Sequence, residues 1–351
     1  MTTETPKHAL LAAAMCFACA AAHGRSADMQ IPSTIVATID VQQTAPPVSK
    51  YEFGMVIEHT RTLIYRSLWS EMLDDRKFFF PISSREPDVP APQQGGPIRN
   101  MQLRKWRPVG PDDVVVVDKD QPFVGDQSPR IELDSSTPHG IRQSGLVLVK
   151  GKKYTGRIYL RGTPAGKVSI SLIWGEGEND RQTVSFTAVT KDYKKFPFNF
   201  TSQADASAAS LEIVGTGIGN FHIGAVSLMP TDNVGGFRPD TIALLRQLHS
   251  GMWRLPGGNF VSDWNWYDSV GDIDKRPPMF DYAWNAMQTN DVGMDEFMTL
   301  CKLIDTEPYI TVNAGFGDTH SAAEEVEYMN GSVNSRLGLC GHTMAILSPT
   351  T

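Results

Sequence analysis

Between residues 85 and 230 the chain is a succession of short β-type runs broken by turn residues, and two segments of a different grammar flank it. Each flank reads as strand, polar residues at the strand's carboxyl end, then helix. No single regular fold accommodates both patterns, so the chain must combine an α/β part with an all-β part. The runs cover 114–117, 145–149, 154–160, 167–173, 183–187, 194–200, 208–214 and 220–228. About eight short strands at this spacing predict a β-sandwich of the jelly-roll kind. A loop rich in Pro and Gly, 87–97, leads into it.

The first flank, 28–84, offers a strand over 33–41, a second over 51–58, and apolar residues at 64, 65, 68, 69, 72 and 73, a helical spacing. The second flank, 231–337, offers a helix after Pro239-Asp240 with Ile242, Leu245 and Leu248 on one face. A strand over 251–255, a helix over 294–304 and a strand over 308–313 follow. Ser321-Ala322-Ala323-Glu324 then reads as a capping box opening a last helix. Strands alternating with helices predict a parallel sheet, and in a β/α barrel the chemistry sits at the carboxyl ends of the strands. Those ends carry Glu58-His59, then Pro256-Gly257-Gly258-Asn259, then Asn313-Ala314-Gly315.

The 351 residues would fill one large domain or two to three ordinary ones. With 41% hydrophobic and 20% charged residues the chain can bury a core, which excludes a disordered linker. A net charge of −7 argues against nucleic acid or an anionic membrane as partner. Residues 1–27 have the three-part layout of a secretory signal peptide: Lys7, an apolar Ala-rich run, and Ala20-Ala21-Ala22 before His23. That predicts a secreted or periplasmic protein. Cys16 and Cys19 would leave with the signal and Cys340 falls in the C-terminal stretch argued below to be out of frame, so the lone Cys301 gives neither a disulfide framework nor a thiolate metal site. The 8 His residues show no i, i+4 pair, and neither metal nor cofactor is expected.

Glu58 ends an apolar strand, where a carboxylate needs water, a partner or a ligand. It is either a site residue or half of an ion pair with Arg254 on a neighbouring strand. Arg254-Leu255-Pro256-Gly257-Gly258-Asn259-Phe260 is the most distinctive stretch. Arg254 offers a donor fork to sugar hydroxyls, Gly257 and Gly258 let the backbone approach a ligand closely, and Asn259 can both donate and accept. A tight strand-to-loop turn would also use the two glycines. Trp264, Trp266 and Tyr267 suit sugar faces, or equally pack the loop onto the sheet. Cys301, on the apolar face of a helix, reads as a small core residue.

These residues resemble the α-L-arabinofuranosidases of glycoside hydrolase family 51. The matching motifs are Phe53-Gly54 through Ile57-Glu58-His59, Ile64-Tyr65, Leu68-Trp69-Ser70-Glu71-Met72-Leu73, Arg254 to Phe260, and Trp264-Asn265-Trp266. They continue with Arg276-Pro277, Thr289-Asn290 with Gly293, Asp295-Glu296-Phe297, Glu307-Pro308-Tyr309, Val312-Asn313, Glu327-Tyr328 and Asn330-Gly331. Arg66-Ser67 departs from the family, which usually has a glycine before Leu-Trp. The resemblance implies about the first three β/α units of a TIM barrel, with the segment 85–230 inserted as a carbohydrate-binding-type sandwich. It implies removal of terminal arabinofuranosyl groups from plant cell-wall arabinan or arabinoxylan, or from arabino-oligosaccharides, by an enzyme that is often oligomeric. Glu58, Arg254 and Asn259 fall where the family frames its innermost sugar subsite; Gly257, Gly258 and Asn313 join them as candidate binding residues.

Retaining hydrolysis needs two carboxyl groups about 5 Å apart. The family takes one from a Gly-Asn-Glu motif ending strand four and one from a Glu ending strand seven. Neither position falls within this chain, and Glu58 is not a substitute, so no catalytic carboxylate is assigned. Past Gly338 the family continues Ala-Leu-Arg-Ala and, two residues on, Gly-His-Pro-Glu-Pro-Tyr-Asn. Codons compatible with Gly338 to Thr351, read one base earlier, spell that continuation. Residues 338–351 are therefore expected to be an out-of-frame tail, and the chain a truncated, inactive fragment. The alternative from another class is a carbohydrate-binding protein without hydrolase activity.

Overall fold

The computed structural model describes residues 36–85, 103–163 and 165–347. The expected signal peptide 1–27 and the Pro/Gly-rich loop 87–97 lie outside the described residues. Among those described, no helix is long and apolar enough to cross a membrane. Contacts divide the chain after Val48. In the first unit, residues 36–48 are exposed and carry no regular element, so the strand expected over 33–41 is absent from 36–41. Asp40 turns the chain there, its carboxylate accepting the Gln42 N–H at 3.0 Å.

The second unit contains fifteen described strands and five helices. In chain order they are β1 (Met55–Val56), α1 (Leu63–Ser67), β2 (Trp106–Val109), β3 (Val115–Asp118), β4 (Ser128–Glu132), β5 (His139–Leu148), β6 (Lys153–Gly162), β7 (Ala165–Ile173), β8 (Arg181–Phe186), β9 (Lys194–Thr201), β10 (Ala206–Ile218) and β11 (Asn220–Pro230). Next come α2 (Pro239–Arg246), β12 (Met252–Leu255), β13 (Met279–Asp281), β14 (Ala286–Gln288), α3 (Met294–Leu303), β15 (Glu307–Ile310), α4 (Thr319–Asn330) and α5 (Arg336–Leu347).

Strands β2 to β11 make two antiparallel five-stranded sheets, β2-β5-β10-β7-β8 and β3-β4-β11-β6-β9. Alternation puts Ile141, Ile170, Leu172, Leu211 and Ile213 of the first sheet against Ile158, Leu160, Phe198, Phe221 and Leu228 of the second, in one shared core. The edge strand β2 accommodates Pro108 because an edge needs no ladder donor there. β11 is buried on both faces from Phe221 to Met229. Past its short pairing with β4, the edge of β11 is taken up by the segment after α1: Met72 N–H bonds Leu228 O at 2.9 Å, and Val226 N–H bonds Arg76 O at 3.0 Å.

Of the remaining strands, β13 and β14 pair antiparallel with each other, and β1, β12 and β15 form a three-stranded parallel sheet, β1-β12-β15, in register Val56↔Arg254↔Tyr309. Trp253 and Leu255 point toward the helices, into a second core with Ile242, Phe260, Phe297 and Leu300. Arg254 points the other way. α3 starts where Gly293 presses on Ser269, leaving no room for a Cβ, and where Glu296 accepts the Gly293 N–H at 2.9 Å.

Several elements differ from the sequence expectation. The helix foreseen over 64–73 stops at Ser67, because Ser70 N–H leaves to bond Gly236 O at 2.8 Å. Its apolar periodicity serves two cores: Leu68 and Trp69 belong to the α/β core, Leu73 to the sandwich. The strand foreseen over 51–58 is a 3-10 turn, Lys50–Phe53, then only Met55–Val56. Leu248 lies beyond α2 and is exposed. α4 is capped by Asp318, whose carboxylate takes the Ser321 N–H at 2.7 Å, so the supposed capping box lies inside the helix.

Buried charges fasten the α/β part to the sandwich. Arg76 bonds Asp291 at 2.6 and 2.7 Å and Asp274 at 2.8 Å, and Arg157 of β6 reaches the same Asp274 at 2.5 Å. Lys77 bonds Arg276 O, Thr289 O and Asp291. Burial pushes the Lys77 amine down to about 7, against the pull of Asp291. Asp291 stays below its ordinary value despite its own burial, because Arg76 and Lys77 flank it.

Candidate functional site

The loop after β12 and the end of β1 meet at Glu58. Ile57 N–H bonds Arg254 O at 3.3 Å, which carries the strand pairing one residue past β1 and sets Glu58 beside the 256–260 loop. Glu58 Oε1 accepts two hydrogen bonds of 2.8 Å, from the Phe260 N–H and from the indole N–H of Trp284. Both converge on one oxygen; among the described residues none reaches Oε2. The ion pair with Arg254 that strand adjacency would allow is not formed.

Of the two glycines, Gly258 answers to Glu58 and Gly257 to β1. Gly258 has φ +61, and a Cβ there would stand 2.5 Å from Glu58 Cδ. A Cβ on Gly257 would meet Val56 Cγ2 at 2.6 Å. Arg254 lies on the sheet face away from the helices, its Nε buried without a hydrogen-bond partner. Asn259 is exposed in the 3-10 turn Gly258–Asp263. Glu58, Gly257, Gly258 and Asn259 therefore lie together, with Arg254 at the adjoining strand end.

Asn313 is committed elsewhere. Its carbonyl oxygen accepts the N–H groups of Gly315 and Gly317 at 3.0 and 3.1 Å, and its amide donates to Trp264 O at 3.1 Å. It organises the loop after β15 and holds that loop to the Trp264 segment. Trp264 and Trp266 are both 2% exposed and pack in the core, so they are not sugar platforms. Tyr267 stacks on Trp266 and donates its hydroxyl to Glu324. His59 is buried, stacks on Phe260 at 4.1 Å, and donates its Nε2–H to Val292 O at 3.0 Å; burial lowers it to about 4, so it is neutral. Cys301 is buried in α3, and burial pushes its thiol up to about 12.

Other motif residues are framework. Arg276 bonds Glu296 at 2.6 Å, Tyr328 donates to Asp295 at 2.8 Å, and Glu307 takes Lys50 and Tyr51. Sequence reasoning missed Trp284. The signal was present: Asp281-Tyr282-Ala283-Trp284-Asn285 is a polar turn between short apolar runs, and Asp281 accepts the N–H groups of Ala283 and Trp284 in an Asx turn joining β13 to β14. Among the described residues no cluster of His, Cys, Asp or Glu could hold a metal ion.

Residues 244–340 match the family model of the α-L-arabinofuranosidase 1 domain. A probable α-L-arabinofuranosidase C of Aspergillus clavatus is 43% identical over 103 residues, 29% of this chain and 20% of that protein. The intracellular exo-α-(1→5)-L-arabinofuranosidase of Bifidobacterium longum is 40% identical over 103 residues, 29% of this chain and 18% of that protein. The match thus spans about a fifth of the length of these curated relatives. Among solved structures, the arabinose-bound MgGH51 α-L-arabinofuranosidase shares the fold, with a TM-score of 0.67 at 18% identity over 85% of this chain and 52% of that one.

Proposed function

We propose that this is an α-L-arabinofuranosidase-type protein of glycoside hydrolase family 51, on the strength of the matched 244–340 segment, and that the site around Glu58 holds the arabinofuranosyl group of an α-L-arabinofuranoside. The observation that carries this is the one-sided use of the Glu58 carboxylate. Phe260 N–H and Trp284 Nε1–H fix Oε1, and Oε2 is left to accept a sugar hydroxyl. Arg254 supplies donors beside it, and Asn259 an exposed amide at the loop tip. The whole protein would release terminal arabinofuranosyl groups from arabinan or arabinoxylan by the retaining two-carboxylate route. The residues of this chain bind and orient the sugar; the acid/base and nucleophilic carboxylates belong to the later strands of the family barrel.

On this reading the sheet β1-β12-β15 is the beginning of a β/α barrel. The sandwich is a carbohydrate-binding-type insertion, residues 1–27 direct export, and 338–351 are an out-of-frame tail. The test separates binding from turnover. The purified chain should bind 4-nitrophenyl α-L-arabinofuranoside without releasing nitrophenol, and Glu58→Gln should weaken that binding at least tenfold. Turnover by the chain would overturn the assignment of both carboxylates to later strands. Binding unchanged in Glu58→Gln would overturn the site.

A further inference from the structure

Near Trp284, four aromatic rings are linked by successive contacts from the β13–β14 turn to the segment after α1. Tyr282 lies two residues before Trp284 on the same turn and is 77% exposed. Its ring stands 5.1 Å from that of Phe280, edge to face. Phe280 in turn lies 6.4 Å from Phe79, nearly parallel at 17°, and Phe79 meets Phe80 at 5.0 Å. Phe79 and Phe280 are half-buried anchors, while Phe80 is exposed at the far end.

The turn presenting Phe79 and Phe80 is built at a cost. Asp75 and Phe78 both occupy the left-handed region, at φ 46 and 59. The buried Asp75 carboxylate takes the N–H groups of Phe79 and Phe80 at 2.7 and 3.0 Å. Gln127 donates to the carbonyls of Phe78 and Phe79. A turn that only had to cover the core would place its rings inside; this one leaves Phe80 exposed, as Tyr282 is at the other end of the contact chain.

We propose that Tyr282, Phe280, Phe79 and Phe80 form a track for the main chain of the polysaccharide whose side-chain sugar occupies the Glu58 site, and that the track selects a pyranose main chain, as in arabinoxylan. A β-linked xylopyranose carries its hydroxyls equatorially, so both ring faces offer axial C–H groups to an aromatic ring. A puckered arabinofuranose carries oxygen substituents on its faces and stacks poorly. The track meets the Glu58 site through the Tyr282–Trp284 turn, and its rings bear no charge, which suits a neutral chain. The inference rests on the function proposed above.

The test uses the full chain and three probes: 4-nitrophenyl α-L-arabinofuranoside, linear xylohexaose and linear α-1,5-arabinohexaose. Tyr282→Ala combined with Phe80→Ala should weaken xylohexaose binding about tenfold, on the scale of two- to tenfold for each stacked ring. Arabinohexaose binding should change less than threefold. Tyr282→Trp should restore xylohexaose affinity, which a mere folding defect would not allow. Xylohexaose binding absent from the wild type, or unmoved by the double variant, overturns the track. Equal losses for both hexasaccharides overturn the selection of a pyranose. The aryl arabinofuranoside with Glu58→Gln reads the Glu58 site independently, so failure there sinks the proposed function rather than the track.

Discussion

Glu58 and Trp284 lie 226 positions apart in the chain, yet the Trp284 indole N–H donates to Glu58 Oε1 at 2.8 Å. A turn between two three-residue strands thereby fixes the carboxylate at the end of β1. Trp284→Phe keeps most of the ring and removes this donor. A hydrogen bond to a charged group contributes about 1.5–3 kcal/mol. Urea unfolding should show a loss at or below that range, and arabinofuranoside affinity should fall with it.

Gly258→Ala should damage the site more than the fold. The new methyl would overlap the Glu58 carboxylate and the residue would sit at φ +61. The left-handed conformation costs about 1–2 kcal/mol, so the melting temperature should drop by only a few degrees. Sugar binding should vanish, and a shifted Trp284 environment should change the fluorescence. An unaltered affinity would mean that Glu58 is not where the ligand lies.

The junction is a third target. Asp291 is 1% exposed and neutralises Arg76 and Lys77 together. Asp291→Ala would leave the buried Arg76 cation short of a carboxylate and Lys77 without one, a cost of about 3–5 kcal/mol. Denaturant curves followed by near-ultraviolet dichroism and by proteolysis should then separate into two transitions, the sandwich outlasting the α/β part.

Glu325 gives a pH dependence of known sign. It is 2% exposed on α4, Oε1 has no partner among the described residues, and burial pushes it up to about 7. A raised carboxyl favours the folded state while protonated, so its contribution is full below the unfolded value near 4.5 and is lost as pH rises toward 7. Glu325→Gln should therefore be more stable than wild type at pH 8, by up to about 3 kcal/mol. The two should converge below pH 4.5.

Both architectural halves were legible because burial imposes a period: alternation marked eight of the sandwich strands, and α3 followed its apolar stripe. β2 and β4 escaped because each is short, 4 and 5 residues, and interrupted by a proline, Pro108 or Pro129, whereas the 8 residues of β9 leave a readable pattern around Pro197. Glu58 and the Gly257-Gly258 pair could be singled out from their chemistry, but their mutual dependence could not, since it rests on a contact 200 positions long. Asn313, Trp264 and Trp266 have the residue types of a sugar site and the partners of a scaffold. Only their neighbours tell the two apart.

The chain leaves the α/β part and returns to it at one place. Trp69 bridges to Phe237, and Ser70 N–H bonds Gly236 O at 2.8 Å. The two leads of the sandwich are thus tied together at its base. Closing a long loop costs only slightly more than closing a short one once its ends are fixed, so the α1-to-α2 connection carries an entire β-structure at little entropic penalty. To the parallel sheet, the whole sandwich is an oversized hairpin turn: its far end could be lengthened or varied, provided Arg157 still reaches Asp274, without altering the register Val56↔Arg254↔Tyr309 around Glu58.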